Sequence, residues 1–256
     1  MLPQSQPSRE FLEAALRIRH LDRTLTTRLP AFDPYDESAI APTGISALDR
    51  LGGGFPRGQL SEIVGARSSG RTSVLLHMIA MTTAHGELAA LIDALDMFDV
   101  GSALAAGIDL EHLLWIRGRI APNAGGSERN DRAIDQAIKA LTLVLRAGNF
   151  GLVAFDLGEA PVEVLNRLPS TTWLRVQRMV EGSQTVCVLV GSHLMARSAA
   201  GLTLRLGSQG VGSVVMPRFG LRTFEGLDVE ARVIRARARG QEGAVAMLST
   251  TVSPNA

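Results

Sequence analysis

Hydrophobic residues recur along this chain in two rhythms. Within residues 9–29, Phe11, Ala14, Ile18, Leu21, Leu25 and Leu29 fall at three- and four-residue steps, which is the spacing of one helix face. Arg9, Arg17, Arg19, Arg23 and Arg28 lie largely off that stripe. An apolar stripe of this size has to be covered. Either the helix docks on its own core with its arginines in solvent, or Phe11, Ile18, Leu21 and Leu25 form a handle for a partner. Residues 30–42, with Asp33, Pro34, Asp36 and Glu37, read as a linker. The expected organisation is an N-terminal helix plus linker over 1–41 and a core over 42–256.

From Thr43 the rhythm changes. Residues 60–64, 88–92, 113–116, 151–155 and 185–190 are short apolar runs of strand length. Helical patterns lie among them at 45–51, 74–81, 100–106, 131–146, 161–168 and 173–180. In the fourth of these, Ile134, Ala137, Ile138, Leu141 and Leu145 share a face. Residues 52–58 read as a turn, 118–130 as a Gly/Asn-rich loop, and the region after Gly201 as shorter strands and turns. Apolar strands alternating with helices predict an α/β fold, with a mainly parallel sheet flanked by helices.

The strand at 60–64 runs into residues 65–73, GARSSGRTS. This fits the phosphate-loop pattern G-x-x-x-x-G-K-[ST] except that Arg71 replaces the lysine. Gly65 and Gly70 let the backbone bend so that its N–H groups can face an anion. Thr72 stands where a Mg²⁺-binding hydroxyl belongs. The alternative is a Gly/Ser turn before a helix, but strand, loop and helix in succession favour the phosphate loop. Arginine is planar and forked where lysine is a compact point charge, so the exchange is not neutral.

Composition narrows the classes. A chain of 256 residues, 46% hydrophobic, can bury one sizeable core. Aromatic residues are 4% of the chain, which leaves few for base stacking. A formal charge of +1 excludes a globally basic nucleic-acid binder but not a local patch. Lys139 is the sole lysine; arginine supplies the remaining basic charge. Cys187, alone in an apolar run, reads as a buried thiol and excludes an intrachain disulfide or a cysteine zinc site. His20, His77, His85, His112 and His193 do not cluster, so no metal site is read from them. There is no signal-peptide pattern and no apolar run of about 18 residues, so a cytoplasmic chain with no membrane contact is expected.

A set of motifs stands in a familiar order. Pro42-Thr43-Gly44, Leu48-Asp49, the run GGFPRG at 53–58, EIVG at 62–65 and SSGRT at 68–72 resemble the opening of the RecA recombinase core. Asp93-Ala94, Asp99, Gly107-Ile108-Asp109 and Leu113-Leu114 follow the order of its second strand and next helix. Arg146-Ala147-Gly148 and Val153-Ala154-Phe155-Asp156 sit where its Walker B strand lies, and Arg232-Val233-Ile234-Arg235 matches a late strand. The resemblance spans residues 42 to 245. It implies a RecA-like P-loop core with a nucleotide site at Gly65, Ser68, Ser69, Gly70, Arg71, Thr72, Ser73 and Asp99. Thr72 and Asp156 would take the metal, with Asp156 acting through water. The alternative for Asp156 is a strand-end acid or a cap, but the paired phosphate loop favours the metal position; Asp93 and Asp99 match RecA acids and could equally be caps. Arg235, Arg237 and Arg239 alternate, so they share one side of a strand. The resemblance makes them a phosphate contact to a neighbouring copy or a protein interface. They could instead charge an edge strand against aggregation or, with Arg218, Arg222 and Arg232, form a nucleic-acid patch.

The departures point further. Leu95 stands where RecA has its catalytic glutamate, and leucine cannot orient water. Glu87 and Glu159 are near in sequence but do not match that position. The adenine-stacking aromatic falls at Ser102, and both DNA-contacting loops are shortened. This combination resembles the ImuA family, accessory proteins of bacterial mutagenesis cassettes. It implies a non-catalytic or weakly catalytic adapter of DNA-damage-induced translesion synthesis, with no catalytic residue assigned and ATP and Mg²⁺ bound weakly or not at all. The implied partners are an ImuB-like Y-family protein, an error-prone replicative-type polymerase and RecA. Homo-oligomer formation is compatible with it, and direct DNA binding stays open. The alternatives are a divergent ATP-dependent RecA/RadA-type recombination protein in which Arg71 still serves, and a SulA-like inhibitor of RecA or a division protein.

Overall fold

A computed structural model describes residues 39–118, 126–158, 160–196, 200–207, 226–236 and 242–251. Phe11, Ile18, Leu21, Leu25, Arg237, Arg239 and Glu159 lie outside the described residues. In chain order come β1 (Ile40–Ala41), α1 (Ser46–Gly52), β2 (Phe55–Pro56), β3 (Leu60–Gly65), α2 (Arg71–Ala84), β4 (Leu88–Asp93) and α3 (Val100–Ala105). Then follow β5 (Leu113–Arg117), α4 (Gly126–Ala147), β6 (Phe150–Asp156), α5 (Val162–Arg167), α6 (Ser170–Val180), β7 (Val186–Gly191), β8 (Leu202–Gly207), β9 (Gly226–Ala236) and β10 (Val245–Thr251).

Eight strands form one sheet in the order β10-β9-β8-β3-β7-β6-β4-β5. The six from β8 to β5 pair in parallel; β9 and β10 are added antiparallel. A parallel sheet is covered on both faces, so its central strands read as unbroken apolar runs. β3 and β7 are buried along their whole length. One face packs against α2 through Val74, Leu75, Met78 and Ile79, which meet Ile63, Leu91, Val188 and Leu204. On the other face, Ile134 and Leu141 of α4 and Trp173 and Val176 of α6 cover Leu60, Ile92, Phe155 and Leu189. The Phe155 and Trp173 rings lie 6.0 Å apart in a tilted pair. The early motif has a structural reading: Asp49 Oδ1 accepts from both Thr43 N and Thr43 Oγ1 at 2.8 Å, fastening the entry to α1.

Two helices start earlier than the periodicity predicts. α4 begins at Gly126, inside the stretch expected as loop, and α6 begins at Ser170 directly after Pro169. Polar first turns carry no apolar stripe, and proline is tolerated where no N–H partner is needed. β9 has 11 residues, longer than the short strands expected near the C-terminus. No helix among the described residues is long and apolar enough to cross a membrane.

Cys187 is fully buried on β7, and desolvation pushes its thiol up to about 12. Native protein is therefore expected to resist a thiol-specific disulfide reagent at neutral pH, with one equivalent reacting in denaturant. Rapid labelling of the native protein would contradict this burial.

Candidate nucleotide site

The parallel strands β3, β4, β6 and β7 deliver their C-terminal ends to one sheet edge, where open α/β folds place their ligands. β3 ends at Gly65, and no other residue fits there. A Cβ would lie 2.3 Å from Ser69 Oγ and 2.5 Å from the Leu206 carbonyl. The loop then turns through Ser68 at φ 58° and Gly70 at φ 87°, two left-handed residues that curl the backbone. Gly70 is the N-cap of the 14-residue α2, and no side chain caps that helix. The N–H groups of its first turn are thus left for an anion. Ser69 is 3% exposed, and its Oγ has no partner among the described residues. A curled backbone, an uncapped helix start and a buried orphan hydroxyl fit a phosphate group. Thr72 and Ser73 are exposed on the first turn of α2.

Arg71 is 7% exposed, and its Nη1 donates to the Gly158 carbonyl at 3.1 Å. Asp156, at the end of β6, accepts from Gly158 N at 2.7 Å. The phosphate-loop arginine and the strand-end acid thus meet on one short turn. The planar guanidinium spans from α2 to this turn and donates to its carbonyl. The sequence pattern placed Arg71 and Asp156 in the site but gave no sign that Gly158 joins them.

Asp93 closes β4 and is 1% exposed. Its carboxylate accepts from Met97 N and Phe98 N, both at 2.9 Å, and from Trp115 Nε1 at 3.3 Å. Asp93 thus fastens the loop that follows β4 to β5, and it is not the residue that caps α3. Asp99 is the N-cap of α3 and accepts from Ser102 N at 2.7 Å. Hydrogen bonds from the Ser102 side chain and then its backbone hold the Asp99 carboxyl below the usual range. Beside Asp93, Trp115 meets Phe98 at 5.0 Å, and the Arg117 guanidinium lies 4.6 Å over the Trp115 ring. Arg117 also forks onto Asp96, with both contacts at 2.9 Å.

Leu95 is 8% exposed and belongs to the same apolar layer as Phe155 and Ile134. Glu87 lies just before β4, at the opposite sheet edge from the phosphate loop, and is forked by Arg57 at 3.0 and 2.9 Å. Arg235 is half-buried on β9 and donates to the Ala196 carbonyl at 3.2 Å. Arg235, the one arginine of the Arg235, Arg237 and Arg239 set among the described residues, is therefore engaged within its own chain. Sequence reasoning missed Glu62, which is fully buried in β3 and holds the backbone after β7. Its only signal was a carboxylate in the middle of an otherwise buried strand.

Comparison with known proteins matches residues 35–191 to the family model described as RecA N-terminal domain. The RecA protein of Chlorobaculum parvum is 32% identical over 176 residues, covering 60% of this chain and 47% of that protein. That of Salinispora tropica is 36% identical over 125 residues, 48% and 32% of the two chains. That of Picosynechococcus is 30% identical over 213 residues, 80% and 57%. The chain spans about half the length of the curated relatives it matches.

Proposed function

The chain belongs to the RecA family, and from that premise we propose that it is a RecA-like adapter of DNA-damage-induced translesion synthesis. In this reading it links a mutagenic polymerase complex to RecA or the stalled fork and hydrolyses ATP weakly or not at all. The observation that carries it is Leu95. Where the resemblance puts a glutamate to aim water, this chain has a leucine built into the core. Arg71 supports the same reading, because its guanidinium is directed onto the Gly158 carbonyl.

The anion cradle itself is kept, so nucleotide can still act as a ligand. The backbone of residues 65–73 would hold its phosphates, and Thr72 with Asp156 would hold Mg²⁺. When bound, the metal would neutralise phosphate charge. The protein's own contribution is the oriented N–H groups, the Ser69 hydroxyl and the exclusion of water by the Leu95 layer. An ImuB-like Y-family protein, an error-prone replicative-type polymerase and RecA are the proposed partners.

The test is a purified chain with Mg-ATP, with and without single-stranded DNA. Hydrolysis is expected to stay at background in both, while the chain captures the Y-family-like partner from damaged cells. DNA-stimulated turnover with ATP-driven filaments on single strands would instead establish a divergent recombination protein. Capture of a division protein would favour the inhibitor reading.

A further inference from the structure

Gly158 meets both charged groups of the phosphate-loop site. Its carbonyl accepts from Arg71 Nη1 at 3.1 Å, and its N–H donates to Asp156 Oδ1 at 2.7 Å. The cation at this place in a phosphate loop reaches the β- and γ-phosphates of a bound nucleotide. In this chain a backbone oxygen already occupies one of its donors.

The turn that carries this oxygen is firmly held. Leu157 is fully buried, and its N–H donates to the Val190 carbonyl of β7 at 3.0 Å. Ala160 is 2% exposed and donates to the Leu157 carbonyl at 2.9 Å. The Asp156 carbonyl accepts from Ala94 N at 3.0 Å. Gly158 sits at φ 52°, a left-handed conformation that costs glycine nothing sterically. Shifting the turn would break these backbone bonds and pull Leu157 and Ala160 out of the core. Arg71, at 7% exposure, is itself packed against movement.

We propose, on the nucleotide reading of this site, that the turn at 156–158 stands in for a terminal phosphate, so that the site takes a nucleoside diphosphate in preference to a triphosphate. The loop backbone, the uncapped first turn of α2 and the buried Ser69 hydroxyl form the cradle. A diphosphate held by these groups leaves the Arg71–Gly158 contact in place. A third phosphate has to draw the guanidinium off the carbonyl. It then meets that carbonyl oxygen as acceptor against acceptor, because the turn does not yield. A hydrogen bond from a charged donor is worth about tenfold in affinity or more, and its loss falls on the triphosphate alone.

Calorimetric titration of the full chain, in the presence of Mg²⁺, with ADP, a non-hydrolysable ATP analogue and pyrophosphate reads the preference. ADP is expected to bind about tenfold or more tightly than the analogue, and pyrophosphate to displace it. Hydrogen exchange at the Gly158 amide should be the same with and without ADP and should rise when the analogue saturates the site. Arg71→Lys supplies a compact charge without the planar fork, so the ADP-to-analogue ratio should fall towards one. Circular dichroism checks that this variant is folded, and the exchange measurement needs no variant. An analogue bound as tightly as ADP overturns the proposal, as does a ratio that a folded Arg71→Lys chain leaves unchanged. So does pyrophosphate that fails to displace ADP, an absence of ADP binding, or a Gly158 amide whose exchange does not separate the two nucleotides. Each of these outcomes leaves the adapter reading standing, since that reading fails instead on DNA-stimulated hydrolysis.

Discussion

Replacing Asp93 by alanine is expected to cost about 3–5 kcal/mol of stability, the largest loss from any single polar side chain in the site. The carboxylate is 1% exposed and satisfies three donors: Met97 N, Phe98 N and Trp115 Nε1. Each buried donor left without a partner costs about 1–3 kcal/mol, and the three share one acceptor group, so the costs do not simply add. The damage should spread to the Phe98–Trp115 pair, because Asp93 fixes both of its members. Asp93→Asn keeps one carbonyl acceptor and should fall between the wild type and alanine. Urea unfolding followed by tryptophan fluorescence checks the order. An Asp93→Ala midpoint equal to the wild type would show that Asp93 does not hold the β4–β5 corner.

The second large effect is a failed rescue. Arg71→Lys combined with Leu95→Glu restores the two side chains that the resemblance marks as lost. The glutamate enters the apolar layer that Leu95 shares with Phe155 and Ile134, so about 3 kcal/mol of stability should be lost. Lysine is shorter than arginine and cannot reproduce its planar fork, so the contact with the Gly158 carbonyl should also weaken. The double variant is expected to give no strand exchange, because the resemblance reads the loops that contact DNA as shortened in this sequence. Circular dichroism would show whether the variant is folded. Strand exchange by a folded double variant would overturn the adapter reading and return the chain to the recombination proteins.

The elements that sequence located well are those whose burial leaves a one-dimensional trace. Residues 60–64 and 185–190 are apolar throughout because both faces of β3 and β7 are covered, and their predicted bounds lie within a residue of those observed. The starts of α4 and α6 left no such trace, since a polar first turn looks like loop. The phosphate loop was legible because glycine at 65 and 70 is a backbone requirement written into the residue type. The partners of Arg71, Glu62 and Glu87 were not legible. Gly158 lies 87 positions from Arg71, and Ala196 lies 134 from Glu62.

Sequence by itself determined the parallel core, the phosphate-loop backbone and the absence of a carboxylate at position 95, because each is a property of residue type and local order. The use made of the charged groups was decided only by tertiary structure: Arg71 turned onto a carbonyl, Asp93 closing a corner, Glu62 gripping a distant segment. A charge in a sequence has no direction, and only the packed chain settles which donors and acceptors it meets and whether water can reach it.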